Sequence, residues 1–249
     1  MPDFNDPTVG RRQVVYCLGS VVAVGLFGPA REMANLLAWS QAGGAQAVPP
    51  CVVTPQQMEG PYFVDERLNR ADIRADPSNG GVKDGVPLHI RIRLSTVSAA
   101  GACTPLAGAL VDVWQCDALG VYSDVKDRSF DTRGQKFLRG YQVSDPNGHA
   151  QFTTIYPGWY PGRAVHVHFK VRTNPSGAKG AEFTSQLYFD EKLTDVVHAQ
   201  APYNTKGRRD TSNEADKIFR SGGSGSQLVI PVTADGKGYA GTFDVGVKL

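Results

Sequence analysis

Net charge is nearly absent: 26 Lys and Arg stand against 24 Asp and Glu in 249 residues, a formal +2 at pH 7. No basic run or acidic tail is present either, so there is no electrostatic case for a nucleic-acid partner. Cysteine is scarce, with 4 in the chain, and none stands in a C-x-x-C pair, which argues against a structural zinc site. No internal repeat is visible, which sets aside a repeat array. The one long apolar run, VVYCLGSVVAVGLFG at 14–28, is short and broken by glycine, a poor fit to the roughly 30 Å of a bilayer core. What remains, 41% hydrophobic and 20% charged residues, fits a soluble globular chain with one sizeable core.

That apolar run follows Arg11-Arg12, and Ala45-Gln46-Ala47 supplies an A-x-A site before VPP. The order of basic pair, apolar stretch and small-residue site reads as a secretory signal of the twin-arginine type, with residues 1–47 removed and 48–249 forming one domain. An uncleaved anchor or an N-terminal helix built on AREMANLLAWSQ is the alternative. Export would leave Cys51, Cys103 and Cys116, which allow one disulfide in any of three pairings and one odd thiol. The expected location is the periplasm or the exterior, with no membrane contact after signal cleavage.

From about residue 85 the text is all-β. LHIRIRLSTV, ALVDVWQC, HAQFTTIY, VHVHFKV, SQLYF, QLVIPV and GTFDVGV alternate or run apolar at strand length. The stretches AAGACTP, DALG, SDPNGH, NPSGAKG and TADGKG separate them with turn chemistry. This pattern predicts an antiparallel sandwich or barrel. Short helices are expected at 190–200 and 211–219, and residues 48–84 read as mostly irregular.

The informative stretch is PGWYPGRAVHVHFKV at 157–171. Residues i and i+2 of a strand share a face, so His166 and His168 project side by side while Val165, Val167 and Phe169 face the other way. Two adjacent imidazoles can share a metal ion, although a strand H-x-H is more often merely hydrogen-bonded. No Cys, Asp or Glu lies close in sequence to complete a familiar zinc set. Oxygen ligands would then come from tyrosines, with Tyr122, Tyr156 and Tyr160 as candidates. A phenol titrates near pH 10, so only a strong Lewis acid such as Fe(III) would hold it ionised at neutral pH. A tyrosine beside a Gly/Pro turn is otherwise a packing residue.

Four separated runs carry a resemblance. EGPYFVDERLNRADIRAD, CTPLAGALVDVWQCDALGVYSD, FLRGYQVSDPNGHAQFTTIYPGWYPGRAVHVHFKV and TSQLYFDEKL resemble, in order and at natural spacing, the intradiol ring-cleavage dioxygenases. The likeness is to protocatechuate dioxygenase subunits and their exported single-chain relatives, over roughly residues 51–220. It implies an antiparallel β-sandwich of the intradiol dioxygenase type, with a few short helices and long loops. It also implies one Fe(III) per chain, O2 as co-substrate, and cleavage of a catechol to a cis,cis-muconate-type diacid. Position by position, the iron ligands fall on Tyr122, Tyr160, His166 and His168. Tyr160 and His166 would be axial, Tyr122 and His168 equatorial. Arg163 would stabilise negative charge on the ring and Gln186 would orient the reacting oxygens. Tyr156 matches no ligand and is expected to be structural.

One departure is Gln115, where many exported relatives carry His; a place outside the metal's own ligands, bearing on substrate preference, is expected for it. Protocatechuate, catechol, hydroxyquinol and larger catechols all satisfy the ortho-diol requirement. Tyr62, Arg133 and Arg139 are candidates for sorting among them. His89, His149 and His198 take the ordinary reading of strand, turn and surface-helix residues. The competing readings are an exported copper or zinc enzyme on the same sandwich, and a non-catalytic binding module using Trp114, Trp159 and Tyr160 as an aromatic platform. Whether the chain forms a homo-oligomer is left open.

Overall fold

A computed structural model describes residues 51–174, 180–222 and 225–248. The expected signal at 1–47 lies outside the described residues. Among the described residues there are nine strands and two short α-helices: β1 Pro87–Val97, β2 Cys103–Pro105, β3 Leu110–Trp114, β4 Arg139–Val143, β5 His149–Ile155, β6 His166–Arg172, β7 Glu182–Tyr188, α1 Glu191–His198, α2 Lys217–Ser221, β8 Val232–Asp235 and β9 Gly238–Val247.

They form two sheets. In the first, β1 is the hub: β9 runs parallel along one edge, β2 and β5 pair antiparallel with successive parts of the other, and β8 closes the far side. The second sheet has the order β4-β3-β6-β7, all antiparallel. Alternation on β1 buries Leu88, Ile90, Ile92 and Leu94 against Val111 and Val113 of β3 and Val167, Phe169 and Val171 of β6. Phe169 and Phe243 meet between the sheets with ring centroids 5.7 Å apart. The expected β-sandwich is therefore present.

Strand β6 is buried on both faces. Its valines and Phe169 fill the sandwich core, so His166, His168 and Lys170 must face outward from it. That outer face is covered by chain rather than water. Residues from Thr54 onward leave β9 (Thr54 N donates to Gly246 O, 2.8 Å), cross β7 (Gln57 N donates to Thr184 O, 2.9 Å) and reach β6, where Glu59 pairs with Lys170. A third layer of irregular chain therefore lies over the second sheet, and the polar face of β6 is sealed beneath it.

Several expectations need correction. The run QLVIPV is not one strand: a 3₁₀ turn spans Ser226–Leu228 and regular pairing resumes only at Val232. Pro231 has no N–H to give a ladder, which explains the interruption. The helix expected over 211–219 is only α2, because Asp216 caps it at Ile218 N and Phe219 N. Strands β2 and β4 carried no readable alternation. In β4, Gly140 leaves room for a distant segment: a Cβ there would come within 2.8 Å of Ile73 and 3.0 Å of Arg70. His198 is not a surface residue; its Nε2 donates to Pro157 O at 3.0 Å and its ring stacks on Tyr203.

Of the three possible disulfides, the structure forms Cys51–Cys103, with Cα atoms 5.4 Å apart, and leaves Cys116 free and buried. The bond ties the start of the covering segment to β2 across 52 residues. Closing such a loop removes about 4 kcal/mol of denatured-state entropy in the chain-entropy account. Cys103→Ser should accordingly lower the unfolding free energy by about 2–4 kcal/mol, read from urea denaturation monitored by tryptophan fluorescence.

Candidate metal centre

Strand register assembles the centre. Arg139, Trp114, His168 and Gln186 stand directly opposite one another across β4, β3, β6 and β7, and Tyr188 stands opposite His166. All project on the outer face. The indole of Trp114 stacks on His168 at 4.8 Å and 9°, which fixes that ring's plane. Gly60, at φ +78°, lies close to the same ring; a Cβ there would sit 3.4 Å from His168 Cε1.

Two loops bring the tyrosines. Tyr122 follows a turn in which Asp117 Oδ1 accepts from Leu119 N and Val121 N, both at 3.0 Å. Its far side is held by Thr132, whose hydroxyl donates to Tyr122 O at 2.6 Å. Tyr160 lies in the turn before β6. The loops interlock through glycine: a Cβ on Gly120 would overlap the carbonyl of Trp159, and one on Gly158 would overlap that of Ala118. Only residues without a side chain permit that approach.

The result is a convergence of four donors. His166 Nε2 and His168 Nε2 are 2.9 Å apart, and the Tyr160 hydroxyl is 3.3 Å from His166 Nε2. Tyr122 packs beside both Tyr160 and His168, with ring centroids at 5.7 and 6.2 Å, and its hydroxyl is buried without a hydrogen-bond partner. His166 Nδ1 faces Ala164 O at 2.6 Å; a carbonyl only accepts, so the proton sits on Nδ1 and the Nε2 lone pair points into the cluster. Burial, then the nearby Arg163 charge, pushes the His166 pKa down to about 3. Burial, with His166 next, holds His168 well below its usual value. Both imidazoles are thus neutral, which is the ligating form.

This donor set fits a hard, highly charged cation. Burial pushes the Tyr160 phenol up to about 12 and Tyr122 well above its ordinary value, so neither ionises unaided at neutral pH. A cation at the point where two imidazole lone pairs and two phenols meet would ionise the phenols and satisfy the orphaned Tyr122 oxygen. Among the described residues no group of three or more His, Cys, Asp and Glu side chains is placed to hold a metal. A histidine- or carboxylate-based copper or zinc site therefore has no third ligand of those kinds in the described chain.

Arg163 and Gln186 adjoin the cluster. Arg163 Nη1 donates to the Tyr160 hydroxyl at 3.3 Å, and Nη2 donates to Gln186 Oε1 and, at 3.3 Å, to Tyr188 Oη. Gln186 Nε2 donates to Met58 O at 3.0 Å, which fixes the amide with its oxygen toward Arg163. Tyr62 stacks on Tyr122 at 4.5 Å and gives its hydroxyl to Asp127 at 2.8 Å. Tyr188 and Asp216 were not anticipated. Tyr188 could have been found from the two-residue period that puts it on the Gln186 face; Asp216 left no local trace of its reach to Arg163.

The remaining candidates fall elsewhere. Arg139 is 2% exposed and donates to Ser123 O, Ser123 Oγ and Tyr62 O, pinning the loops of Tyr122 and Tyr62. Exposed Arg133 pairs with Asp131 at 2.7 Å. The Arg139 guanidinium is consumed by these internal bonds, whereas Arg133 sits in an exposed surface pair. Gln115 faces the first sheet, giving Nε2 to Ile155 O and accepting from Thr154, so it ties β3 to β5 away from the donor cluster. Tyr156 is structural, bonded to Thr194 at 2.8 Å. Trp114 is 1% exposed and cannot serve as an external aromatic platform.

The buried imidazoles set a pH response. Their folded-state pKa values lie below the unfolded value near 6.5, so below that pH the unfolded chain binds protons that the folded chain refuses. Stability should fall as pH drops from 6.5 toward 5, by roughly 1.4 kcal/mol per pH unit for each histidine once titration is complete. Chelator-treated His168→Gln should show a shallower slope than treated wild type in urea titrations over that window.

Comparisons with known proteins place the chain in a family. A protein-family model described as "Dioxygenase" matches residues 58–219, well over half of the chain. The protocatechuate 3,4-dioxygenase beta chain of Burkholderia cepacia is 31% identical over 137 residues, 52% of this chain and 56% of that one. Catechol 1,2-dioxygenase of Candida albicans is 34% identical over 172 residues, 60% of this chain and 48% of that one. The chain spans about half the length of these curated relatives. Among solved structures, an intradiol ring-cleavage dioxygenase from Tetranychus urticae superposes with a TM-score of 0.68 at 29% identity, covering 80% of this chain and 95% of that one. The dioxygenase domain of a carbohydrate-binding fusion protein from a cellulolytic Streptomyces gives 0.54 at 30% identity, covering 80% and 99%. With the family match spanning the whole donor cluster, the chain belongs to the intradiol ring-cleavage dioxygenases.

Proposed function

We propose that the protein is a non-haem Fe(III)-dependent dioxygenase that opens a catechol-type ring between its two hydroxylated carbons, placing both atoms of O2 in a cis,cis-muconate-type diacid. The observation that carries this reading is the meeting of His166, His168, Tyr160 and the orphaned Tyr122 hydroxyl in one buried cluster beside Arg163. These four side chains would hold one ion per chain. When bound, Fe(III) supplies Lewis acidity and draws electron density from the catecholate, which opens the ring to O2.

The chain's own groups do the rest. Tyr160 would serve as the base of the set: its oxygen accepts from Arg163 Nη1 and, held as a phenolate, would take up a catechol proton. Arg163 then has two Nη groups facing the site to stabilise negative charge on the ring and on the oxygens that develop during cleavage. Gln186, fixed through Met58 O, orients those groups. Tyr62, Tyr160 and Phe130 form an apolar aromatic wall around Tyr122 that excludes water and suits a flat ring. A small catecholic substrate is the partner this wall fits. Because Arg139 is committed to Ser123 and Tyr62 O, it does not select for a ring carboxylate.

We also propose export, with residues 1–47 as its signal. The Cys51–Cys103 bond supports this, since disulfides persist in oxidising compartments. Cell fractionation tests it; a chain found at full length and only in the cytosol would overturn it.

The purified protein should be red-brown from tyrosinate bound to Fe(III), and anaerobic catechol should move the absorption to longer wavelength. Tyr160→Phe should keep iron while losing most of its turnover; His168→Ala should lose the iron. A colourless wild type after iron loading, or full iron and activity in His168→Ala, would sink the proposal.

A further inference from the structure

Asp216 is 1% exposed, and all its acceptor positions are filled. Oδ1 accepts from Ile218 N at 2.7 Å and Phe219 N at 3.3 Å, capping α2. Oδ2 accepts from Arg163 Nε at 2.9 Å and Ala164 N at 2.9 Å. The carboxylate therefore bridges a helix start to the turn that carries Arg163, 53 residues earlier in the chain. A cap alone needs one oxygen, and Ser, Thr or Asn would serve. The second oxygen and the full negative charge are spent on Arg163.

We infer that Asp216 is a positioning residue for ring cleavage: it fixes Arg163 by Nε so that both Nη groups face the donor cluster. This rests on the reading of the site given above. A planar guanidinium held at Nε by a buried carboxylate loses its freedom about the last side-chain torsions. What remains free is the Nη edge, and that edge meets Tyr160 Oη, Gln186 Oε1 and Tyr188 Oη. Burial opposes ionisation of Asp216, but Arg163 and the amides of Ala164 and Ile218 outweigh it, holding the carboxyl below its usual range. The anchor is thus ionised at neutral pH. Ala164 N, two residues before His166, is held by the same oxygen, so the turn entering β6 is set along with the arginine.

Asp216→Asn keeps one oxygen for the helix cap and turns an NH2 toward Arg163 Nε–H and Ala164 N–H, donor against donor. Asp216→Ser keeps a capping oxygen and simply lacks the second one, which guards against a variant that misfolds. In both, iron content and the anaerobic affinity for catechol should stay near wild type while kcat falls about tenfold or more, the pattern of a contact that matters in the transition state. Adding Asp216→Asn to Arg163→Met should change kcat by less than about twofold, because the residue acts through the arginine. Additive losses in that cycle, or an unchanged kcat in a folded Asp216→Ser, would overturn the inference.

A measurement independent of turnover accompanies these. In the full chain with Ga(III) supplied in place of iron, ¹⁵N NMR should show a slowly exchanging Arg163 Nε–H that is lost in Asp216→Ser. A fast-exchanging Nε–H in the wild type overturns the anchoring by itself. A wild type that shows the protected Nε–H but neither binds iron nor cleaves catechol refutes the ring-cleavage reading, and with it the catalytic role given to Asp216, while leaving the ion pair as structure.

Discussion

Everything at the centre depends on one constraint: two imidazoles are buried with their Nε2 atoms 2.9 Å apart and, among the described residues, no carboxylate hydrogen-bonded to either ring. At that distance a proton or a cation must lie between the nitrogens, and without a metal the neutral Nε2–H tautomer of His168 supplies it by donating to His166 Nε2. Full burial and the positive charge of Arg163 keep the rings from taking up an extra proton. A metal ion resolves this better than a proton does, because it also meets the needs of Tyr122 and Tyr160. The same constraint explains the surroundings. Trp114 and Gly60 lie close to His168, and Ala164 O fixes the His166 tautomer. Each removes a freedom the rings would otherwise use to move apart.

The fold supplies this arrangement through a sheet whose two faces have different duties. On β6 the odd positions Val167, Phe169 and Val171 hold the sandwich together, while His166 and His168 face the donor cluster and Lys170 pairs with Glu59 in the covering layer. The core face of β6 itself is apolar, formed by Val167, Phe169 and Val171. The outer face is sealed by the segment from Thr54 to Tyr62 and by the loop from Asp117 to Leu138, so that a polar site is made dry by irregular chain. Buried backbone in such a layer must find partners. Arg139 meets that need for Tyr62 and Ser123, which is why a residue that reads as a candidate for binding a carboxylate turns out to be internal scaffolding.

What the sequence made legible follows from range. The period-two text of β1, β5, β6 and β9 exposed the sandwich, and the H-x-H spacing exposed a shared face, because both are properties of consecutive residues. The four-run resemblance placed Tyr122, Tyr160, Arg163 and Gln186, and the structure brings all of them together with the histidines. Illegible were the features made by residues far apart. Strand β4 is made by its pairing with β3, with residues 69–73 packed along its other edge at Gly140 and Tyr141. Gln115 faces the first sheet because Thr154 and Ile155 are there to receive it. The disulfide pairing was likewise open until three dimensions chose Cys51 and Cys103.

Asp216 shows how these levels meet. Locally it is an N-cap, and the apolar pair Ile218-Phe219 after it supports that reading. That local role shortens α2 relative to the helix expected from residue 211, since a side chain occupied as a cap marks where helical hydrogen bonding begins. Its distant role explains why the boundary falls at this residue. The carboxylate must reach Arg163 and Ala164, and a residue held in extended backbone at φ −73° and ψ 118° can aim its second oxygen away from the helix, whereas one inside a helical turn would point along its flank. The position of the helix start and the aim of the arginine are therefore a single structural fact. A helix of five residues, too short to persist alone, is kept in place by the ion pair it helps to orient.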